Sequence, residues 1–337
     1  MRPVNDLTGK NQSLDDEHEQ LKLHVGSSIK ERRLDKYLHG RFSNFSRRFI
    51  QDVIKAGSVK VNGKIGKPSL KLSPGDIIDM ILPELPAKDI LPEDIPLNII
   101  YEDSCIIVLN KQPGILVHQA RGNTHGTLVN ALAFYSDKLS SGLGEFRPGI
   151  VHRLDKNTTG VMVVAKDDGT QWKIAKQFER RQVNKNYLAI VHGIPELTAD
   201  RIKAPLGINP RAREKYAIRP GIGKESITFY EVIEAFRGFS LLKLTPKTGR
   251  THQIRVHLAY IKHPIVADEM YGGRLVYPWQ LADAEPAVQQ PVISRVALHA
   301  HSLEFEHPAT GKTVKFEAPL PEDMQNLLDM LRKHRKT

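Results

Sequence analysis

The chain has 337 residues, of which 40% are hydrophobic and 26% are charged, so it is long enough for two domains and is not a mainly disordered protein. Its net charge of +11 favours an anionic partner such as nucleic acid. The single cysteine, Cys105, excludes an internal disulfide and a cysteine metal cage. No signal-peptide core and no membrane-spanning stretch of roughly 20 apolar residues is present, so we expect a soluble, cytoplasmic protein with no membrane partner.

The N-terminal part divides into a tail and a basic module. Residues 1–27 are polar and acidic with no periodic apolar pattern, and we predict that they form a disordered tail. Residues 29–72 contain 12 Lys and Arg against 3 Asp and Glu, so this short segment carries +9 of the total charge. This density favours a binding surface over an ordinary solvated face.

Two short amphipathic helices and a hairpin are predicted within residues 28–82. Apolar residues recur at helical spacing around Leu34 and again around Ile50, and an Asn62-Gly63 pair interrupts an alternating run. The stretches Arg33-Leu34-Asp35-Lys36-Tyr37-Leu38 and Arg47-Arg48-Phe49-Ile50 resemble the S4-type RNA-binding domain. The resemblance implies an RNA-binding surface with these candidate contacts: Arg33, Lys36, Arg47, Arg48, Lys55 and Lys60.

A linker and a larger domain follow. Residues 83–96 hold four prolines, which break regular structure, so we predict an interdomain linker there. From residue 97 to 325 the pattern indicates a mixed α+β domain, and residues 326–337 a helix that runs into a basic tail. Predicted strands include residues 99–101, 106–109, 161–165, 187–191 and 241–244, and residues 172–178 are predicted to be helical. No glycine-rich phosphate loop is present, so no nucleotide cofactor is expected.

Polar residues interrupt the core pattern between residues 149 and 160. His152, Arg153, Asp155 and Lys156 stand between two apolar runs, where the ends of strands commonly line sites. The cations beside Asp155 favour its ionised form, which serves as a nucleophile, a base or an ion-pair partner. A turn-capping role for Asp155 accounts for the spacing equally well.

A second polar cluster begins after the strand at residues 241–244. We predict that Thr251 is the N-cap of a helix on which His252 and Arg255 share one face. These cations, with Arg250, bind phosphate or hold a buried carboxylate in its charged form. A surface helix with salt bridges is the alternative.

Tyr187 is the third candidate, because it stands at the start of a predicted strand. A tyrosine there can stack on a base or move a proton, although an aromatic residue in a strand is more often part of the core. The histidine pairs do not have the spacing of a zinc site, so no metal is expected. No paired carboxylates near Asp155 suggest a glycosidase pair, because the nearest acidic pair, Asp167 and Asp168, lies beyond a predicted buried strand.

Tyr187 lies in a weaker match at residues 187–193, and three other stretches more specifically resemble pseudouridine synthases of the RluA/RluD type. The stretches are Asn110-Lys111-Gln112-Pro113-Gly114, His152-Arg153-Leu154-Asp155-Lys156 and Thr248-Gly249-Arg250-Thr251-His252-Gln253-Ile254-Arg255. They occur in family order across most of residues 97–322. The resemblance implies a largely antiparallel sheet and an enzyme that isomerises uridines in RNA without a cofactor or metal.

The resemblance also implies roles for individual residues. Asp155 initiates glycosidic cleavage, either by adding to the sugar or by taking a sugar proton to give a glycal. Arg255 pairs with Asp155, and Tyr187 stacks on the base and assists removal of the C5 proton. His152, Arg153, Lys111, Arg250 and His252 are expected to bind the RNA, whose target base must flip into the pocket.

The expected substrate is 23S ribosomal RNA, free or in an assembling large subunit, because family members with an S4-like module act on large-subunit RNA. The expected protein is a monomer. Two alternatives stay open within this fold, a synthase that acts on transfer RNA and a non-catalytic RNA-binding or ribosome-assembly protein. A hydrolase that releases free uracil is a third alternative, disfavoured by the missing second carboxylate.

Overall fold

The computed structural model describes residues 20–26, 32–42, 47–81, 90–118, 124–136, 139–140, 148–212, 214–283, 285 and 290–337. The chain divides into two compact units, unit 1 (Met1–Ala87) and unit 2 (Lys88–Thr337). No helix in the described ranges is both long and apolar enough to cross a membrane.

Unit 1 has the predicted order of two helices followed by a hairpin. Its elements are β1 (Gln20–His24), β2 (Arg32–Arg33), α1 (Leu34–Arg41), α2 (Arg47–Lys55), β3 (Val59–Val61), β4 (Lys64–Ile65), β5 (Lys71–Leu72) and β6 (Ile77–Ile81). Strands β1, β6, β3 and β4 form one sheet in that order, and β2 pairs with β5. Asn62 and Gly63 connect β3 to β4 with positive φ angles of 50° and 77°, as a tight hairpin turn requires.

The prediction of a disordered tail at residues 1–27 is wrong for residues 20–24, which form strand β1. Leu21 and Leu23 pair with Met80 and Ile78 of β6 and pack against the core of unit 1. Their alternation with polar residues is the ordinary signal of a half-buried strand, which the neighbouring acidic run obscured. Residues 1–19 and 27 of the predicted tail lie outside the described residues.

A buried carboxylate joins the two helices of unit 1. The side chain of Asp35 is fully buried, and it accepts hydrogen bonds from Arg33 Nε at 3.0 Å, Arg47 Nη2 at 2.8 Å and Gln51 Nε2 at 2.6 Å. Burial opposes ionisation, but the hydrogen bonds from Arg33, Gln51 and Arg47 outweigh it and lower the pKa of Asp35. Arg33 and Arg47 therefore have a structural role besides any contact with RNA.

Unit 1 should lose stability in acid through Asp35. Because the pKa of this group is lower in the folded unit than in the unfolded chain, its contribution is complete above about pH 4 and is lost as the pH falls further. Hydrogen exchange of the α1 amides in the full chain, corrected for intrinsic rates, should show protection falling below that pH. Asp35→Asn should be poorly protected throughout, whereas Asp52→Asn, at an exposed position, should behave as the wild type. Equal acid sensitivity in wild type and Asp35→Asn would contradict this account.

Unit 2 is built on a nine-stranded sheet. Its strands are β7 (Ile99–Glu102), β8 (Ile106–Lys111), β9 (Thr159–Ala165), β10 (Asn184–His192), β11 (Ala199–Lys203), β14 (Ile227–Phe236), β15 (Phe239–Pro246), β16 (Leu298–Glu306) and β17 (Thr313–Glu317), with β12 (Leu206–Ile208) and β13 (Tyr216–Ile218) as a separate pair. Its helices are α3 (Leu128–Tyr135), α4 (Asp168–Glu179), α5 (Gln253–Tyr260), α6 (Pro278–Leu281) and α7 (Glu322–His334), with a 3₁₀ turn at Glu269–Tyr271.

The sheet is mixed and largely antiparallel, as predicted. Its main path runs β11-β14-β15-β10-β16-β9-β8-β7, and β17 adds to β16. Among these described strands, only β16 and β9 pair in parallel, at His299 with Thr159 and Ala300 with Gly160. Gly160 has a φ of 119°, and a Cβ there would collide with the carbonyl oxygen of Ala300, so glycine is needed where the two strands meet.

The ends of unit 2 are packed against its core. Residues 90–96 of the predicted linker have no regular structure, but Ile90 and Ile95 pack on the cluster around β8 and α3. These residues therefore belong to the packed part of unit 2, and residues 83–89 of the predicted linker lie outside the described residues. The C-terminal helix begins at Glu322, earlier than predicted, and buries Leu327 and Leu331 in the core.

Candidate active site

A cavity of about 510 Å³ in unit 2 brings the three predicted constellations together. It is lined by Asp155 and its neighbours before β9, by Tyr187 on β10 and by residues 246–255, which lead into α5. Six basic side chains line it, against the two carboxylates Asp155 and Glu179. Its size and mixed polar lining suit a small organic group such as one nucleotide.

The loop that carries Asp155 is held from behind by buried cations. Lys111 Nζ donates to the carbonyl oxygens of Gln112 at 2.9 Å, Lys156 at 2.9 Å and Thr158 at 3.1 Å. Arg295 Nη1 donates to the carbonyl of Asn157 at 3.3 Å. Three consecutive carbonyls after Asp155 are thus bound to the protein interior, which fixes the backbone that positions the carboxylate.

The predicted RNA contact of Lys111 is wrong, because its side chain is fully buried beneath the loop. Burial lowers the pKa of Lys111 to about 7, while the charge of Asp155 raises it. Three carbonyl acceptors match the three donors of an ammonium group, and this hydrogen bonding favours the charged form. The position follows four buried residues of β8, a pattern that indicates the core rather than the surface.

Lys111→Met should loosen the loop. The carbonyls of Lys156 and Thr158 would lose their donor, and we expect turnover to fall about 10-fold or more because the carboxylate loses its fixed position. Hydrogen exchange of the amides between residues 155 and 159 should become faster. Lys315→Met, which removes an exposed lysine paired with Glu317, is the control and should change neither quantity. Unchanged exchange in the loop would exclude this role for Lys111.

Arg255 is shared by two carboxylates. Its Nε and Nη2 donate to Asp268 at 2.8 Å and 2.7 Å, and its Nη1 donates to Asp155 Oδ2 at 3.1 Å. The side chains of Arg255 and Asp268 are 11% and 1% exposed, so the pair lies within the protein. Burial opposes the charged form of Arg255, but the hydrogen bonds and charges of Asp268 and Asp155 outweigh it and raise its pKa. The predicted contact between Asp155 and Arg255 is present.

The two oxygens of Asp155 differ in their surroundings. Oδ2 accepts from Arg255 and lies 3.8 Å from His252 Nε2. Within the described ranges, no hydrogen bond to Oδ1 is present. The first oxygen is therefore anchored, and the second is free to meet a bound group.

Tyr271 holds the imidazole of His252 beside Asp155. Its Nδ1 lies 2.7 Å from the Tyr271 hydroxyl, which also accepts a hydrogen bond from the Tyr216 amide. Burial lowers the pKa of His252 and the charge of Asp155 opposes that change. The predicted N-cap at Thr251 is wrong. Helix α5 begins at Gln253, and His252 is its N-cap with a φ of 56°, because the Gln253 amide first closes a turn on the Arg250 carbonyl.

Tyr187 projects into the cavity from β10 opposite Ala300 of β16. Burial raises the pKa of its hydroxyl, and the charge of Asp155 raises it further. The phenol is therefore neutral near pH 7. A neutral phenol is a weak base but an effective surface for stacking on a planar ring.

The other predicted residues of unit 2 differ in exposure. His152 stacks on Phe178 at 4.6 Å and accepts a hydrogen bond from the Val163 amide, and burial lowers its pKa to about 3, so it is neutral. Arg153 is exposed at the cavity with Nη1 3.3 Å from His118 Nε2. Arg250 lines the cavity with a buried Nε that has no hydrogen-bond partner among the described residues. Their RNA contacts remain predictions.

The predicted RNA contacts of unit 1 lie partly on its surface. Lys36 and Lys60 are exposed, and Lys55 is exposed beside Asp52 at 3.7 Å. The side chains of Arg33 and Arg47 are 42% and 43% exposed while they bind Asp35. The side chain of Arg48 lies outside the described residues.

Sequence reasoning missed several residues that support the site. Asp268 and Tyr271 belong to a turn with no periodic signal, and Arg295 lies between elements. Lys185, which also lines the cavity, was hidden in a run of polar residues before Tyr187. The one available signal was its position two residues before Tyr187, just ahead of the strand predicted at residues 187–191.

Comparisons with known proteins agree with this geometry. Residues 105–260 match the family described as RNA pseudouridylate synthase, and residues 32–78 match the S4 domain. A Bacillus subtilis protein named as an uncharacterized RNA pseudouridine synthase is 39% identical over 94% of this chain and 99% of its own. Ribosomal large subunit pseudouridine synthase D of Xanthomonas campestris is 41% identical over 91% of each chain.

Similarity extends to solved structures. The structure of human RNA pseudouridylate synthase domain containing 4 is 27% identical and covers 70% of this chain and 93% of its own, with a TM-score of 0.53. The family match includes Asp155, Tyr187 and Arg255 within its bounds.

Proposed function

The chain belongs to the RNA pseudouridine synthase family, and on that premise we propose that it isomerises specific uridines of 23S ribosomal RNA to pseudouridine. Family membership makes it an isomerase that acts on RNA. The observation that carries the proposal is the carboxylate of Asp155, anchored by Arg255 at the wall of a nucleotide-sized cavity. The relatives named ribosomal large subunit pseudouridine synthase D support the choice of substrate.

The reaction breaks the N1 to C1′ bond of uridine, rotates the base and joins C5 to C1′. In the proposed mechanism, Oδ1 of Asp155 either adds to the sugar or takes a sugar proton to give a glycal. Both routes need a carboxylate oxygen in a fixed position, and Arg255 orients the carboxylate of Asp155 through its hydrogen bond to Oδ2. Because Arg255 is itself fixed by Asp268, the pair is oriented before substrate binds.

Tyr187 serves in this mechanism as the surface on which the uracil stacks during its rotation. Its hydroxyl is neutral, so Tyr187 is proposed to assist removal of the C5 proton through a water molecule. It does not take the proton directly as a phenolate. A uridine in folded RNA must leave its stack to reach Asp155, at a cost of a few kcal/mol. Arg153, exposed at the cavity, is proposed to hold the flipped strand, and the basic unit 1 adds salt-sensitive affinity.

The S4 domain supports a large structured RNA as the substrate, because it supplies a binding surface on a part of the chain separate from the cavity. The proposed partner is 23S ribosomal RNA or a large subunit during assembly. This substrate implies a cytoplasmic reaction.

Tritium release from 5-tritiated uridine in protein-free 23S transcript tests the proposal. We expect release from this transcript, no release from transfer-RNA transcripts and no free uracil by chromatography. Release from transfer RNA alone would overturn the substrate. Free uracil would identify a hydrolase, and no release from 23S transcript or from large-subunit precursor particles would contradict the proposed function.

A further inference from the structure

Lys185 is a charged side chain of the cavity that the mechanism above does not use. It lies on β10 two residues before Tyr187, and both side chains line the cavity. Its ammonium group lies 5.8 Å from the centre of the Phe178 ring, on the side of the cavity formed by α4. A base stacked on Tyr187 would therefore have Lys185 at its border.

The ammonium of Lys185 has no counter-ion in the described part of the chain. No carboxylate there lies within 4.0 Å of Nζ, and the side chain makes no hydrogen bond. Burial lowers its pKa, and no neighbouring carboxylate opposes that change. Structural lysines of unit 2 are different, since Lys111 donates to three carbonyls and Lys166 pairs with Glu102 at 2.7 Å.

A partly buried cation without a counter-ion destabilises the free protein, so its presence at a cavity indicates a ligand that supplies the missing negative charge. The neighbouring segment at residues 249 and 250 also carries a basic group without a hydrogen-bond partner. Gly249 is so close that a Cβ on it would lie 3.8 Å from Lys185 Nζ, and the next residue, Arg250, has a buried Nε without a hydrogen-bond partner in the described ranges. Lys247 also lines the cavity and is exposed.

We propose that Lys185 and Arg250 bind a backbone phosphate of the RNA beside the uridine that enters the cavity. This inference rests on the proposed function for the identity of the ligand as RNA. Phosphate fits because a phosphodiester carries a full negative charge and accepts from lysine and arginine together. The carbonyl oxygens of uracil are neutral before the bond breaks, so they compensate a buried cation less well.

The salt dependence of RNA binding distinguishes a backbone phosphate from the uracil carbonyl groups as the ligand of Lys185. Lys185→Met should weaken binding of 23S transcript and reduce the slope of log Kd against log salt concentration by about 0.7 to 0.9, the change expected for one phosphate contact. Lys185→Arg should restore most of the slope. Lys243→Met, which removes an exposed lysine of β15 beside Glu231, is the matched control and should leave the slope unchanged.

The unfolding temperature and the kcat of Lys185→Met test the proposal further. The unfolding temperature of Lys185→Met should equal or exceed that of the wild type, because an unpaired charge is removed; a large decrease would indicate a structural role and overturn the proposal. An unchanged salt slope with a lower kcat would assign Lys185 to the uracil instead, and it would also overturn the proposal. Binding is measured without turnover and on transfer RNA as well, so the result is independent of whether the proposed substrate is correct.

Discussion

Replacing Asp155 by asparagine is expected to lower the rate constant for tritium release by about 10³-fold or more, because the amide cannot act as the anionic group that starts glycosidic cleavage. The amide has nearly the same shape as the carboxylate, and Arg255 keeps both hydrogen bonds to Asp268. The fold and the affinity for RNA should therefore stay close to those of the wild type. Single-turnover tritium release, RNA binding and thermal unfolding of the same preparation measure the three quantities.

The control for Asp155→Asn is Asp200→Asn, which removes one negative charge from the exposed face of β11. It should leave turnover unchanged and so exclude a general effect of net charge. Turnover of Asp155→Asn within about tenfold of the wild type would contradict the assignment of Asp155. Loss of RNA binding together with turnover would instead make Asp155 a binding residue.

Arg255→Met is expected to have the largest effect on stability. The change leaves the Asp268 carboxylate, 1% exposed, without its partner, and breaking a buried ion pair in this way costs about 3 to 5 kcal/mol in the free energy of unfolding. Turnover should fall about 10²-fold or more, since Asp155 also loses the cation that orients it. Denaturant unfolding and tritium release measure the two effects.

A second change separates these effects. Arg255→Met combined with Asp268→Asn removes both members of the buried pair, and most of the lost stability should return because no unpaired charge remains. Turnover should stay low, because Asp155 still has no cation. If turnover recovered with stability, Arg255 would act only as a structural residue, and its role beside Asp155 would be wrong.

Local patterns were enough to predict part of the fold. Alternating and continuous apolar runs predicted β7, β8, β9, β10 and β15, and the Asn62-Gly63 pair predicted the hairpin of unit 1. Strand β1 was missed because its short alternating run adjoins an acidic segment. The start of α5 was misplaced because the Gln253 amide closes a turn on the Arg250 carbonyl, while the Gln253 side chain accepts hydrogen bonds from the Thr248 hydroxyl and the Arg250 amide.

The site itself depends on contacts that are distant in sequence. Arg255 and Asp155 are 100 residues apart, and only the sheet and α5 bring them together. Family resemblance supplied that pairing, because spacing alone left Asp155 equally consistent with a turn cap. Lys111 shows the limit of residue type as a guide, since its charge suggested the surface although it lies under the Asp155 loop with its donors satisfied.

The sharing of Arg255 between two carboxylates has a consequence for how firmly the side chain of Asp155 is held. Two nitrogens of the guanidinium donate to the buried Asp268, and only one donates to Asp155. A movement that breaks the single hydrogen bond to Asp155 therefore leaves the pair of Arg255 and Asp268 intact. The carboxylate of Asp155 can follow the reacting sugar while the cation beside it stays in place.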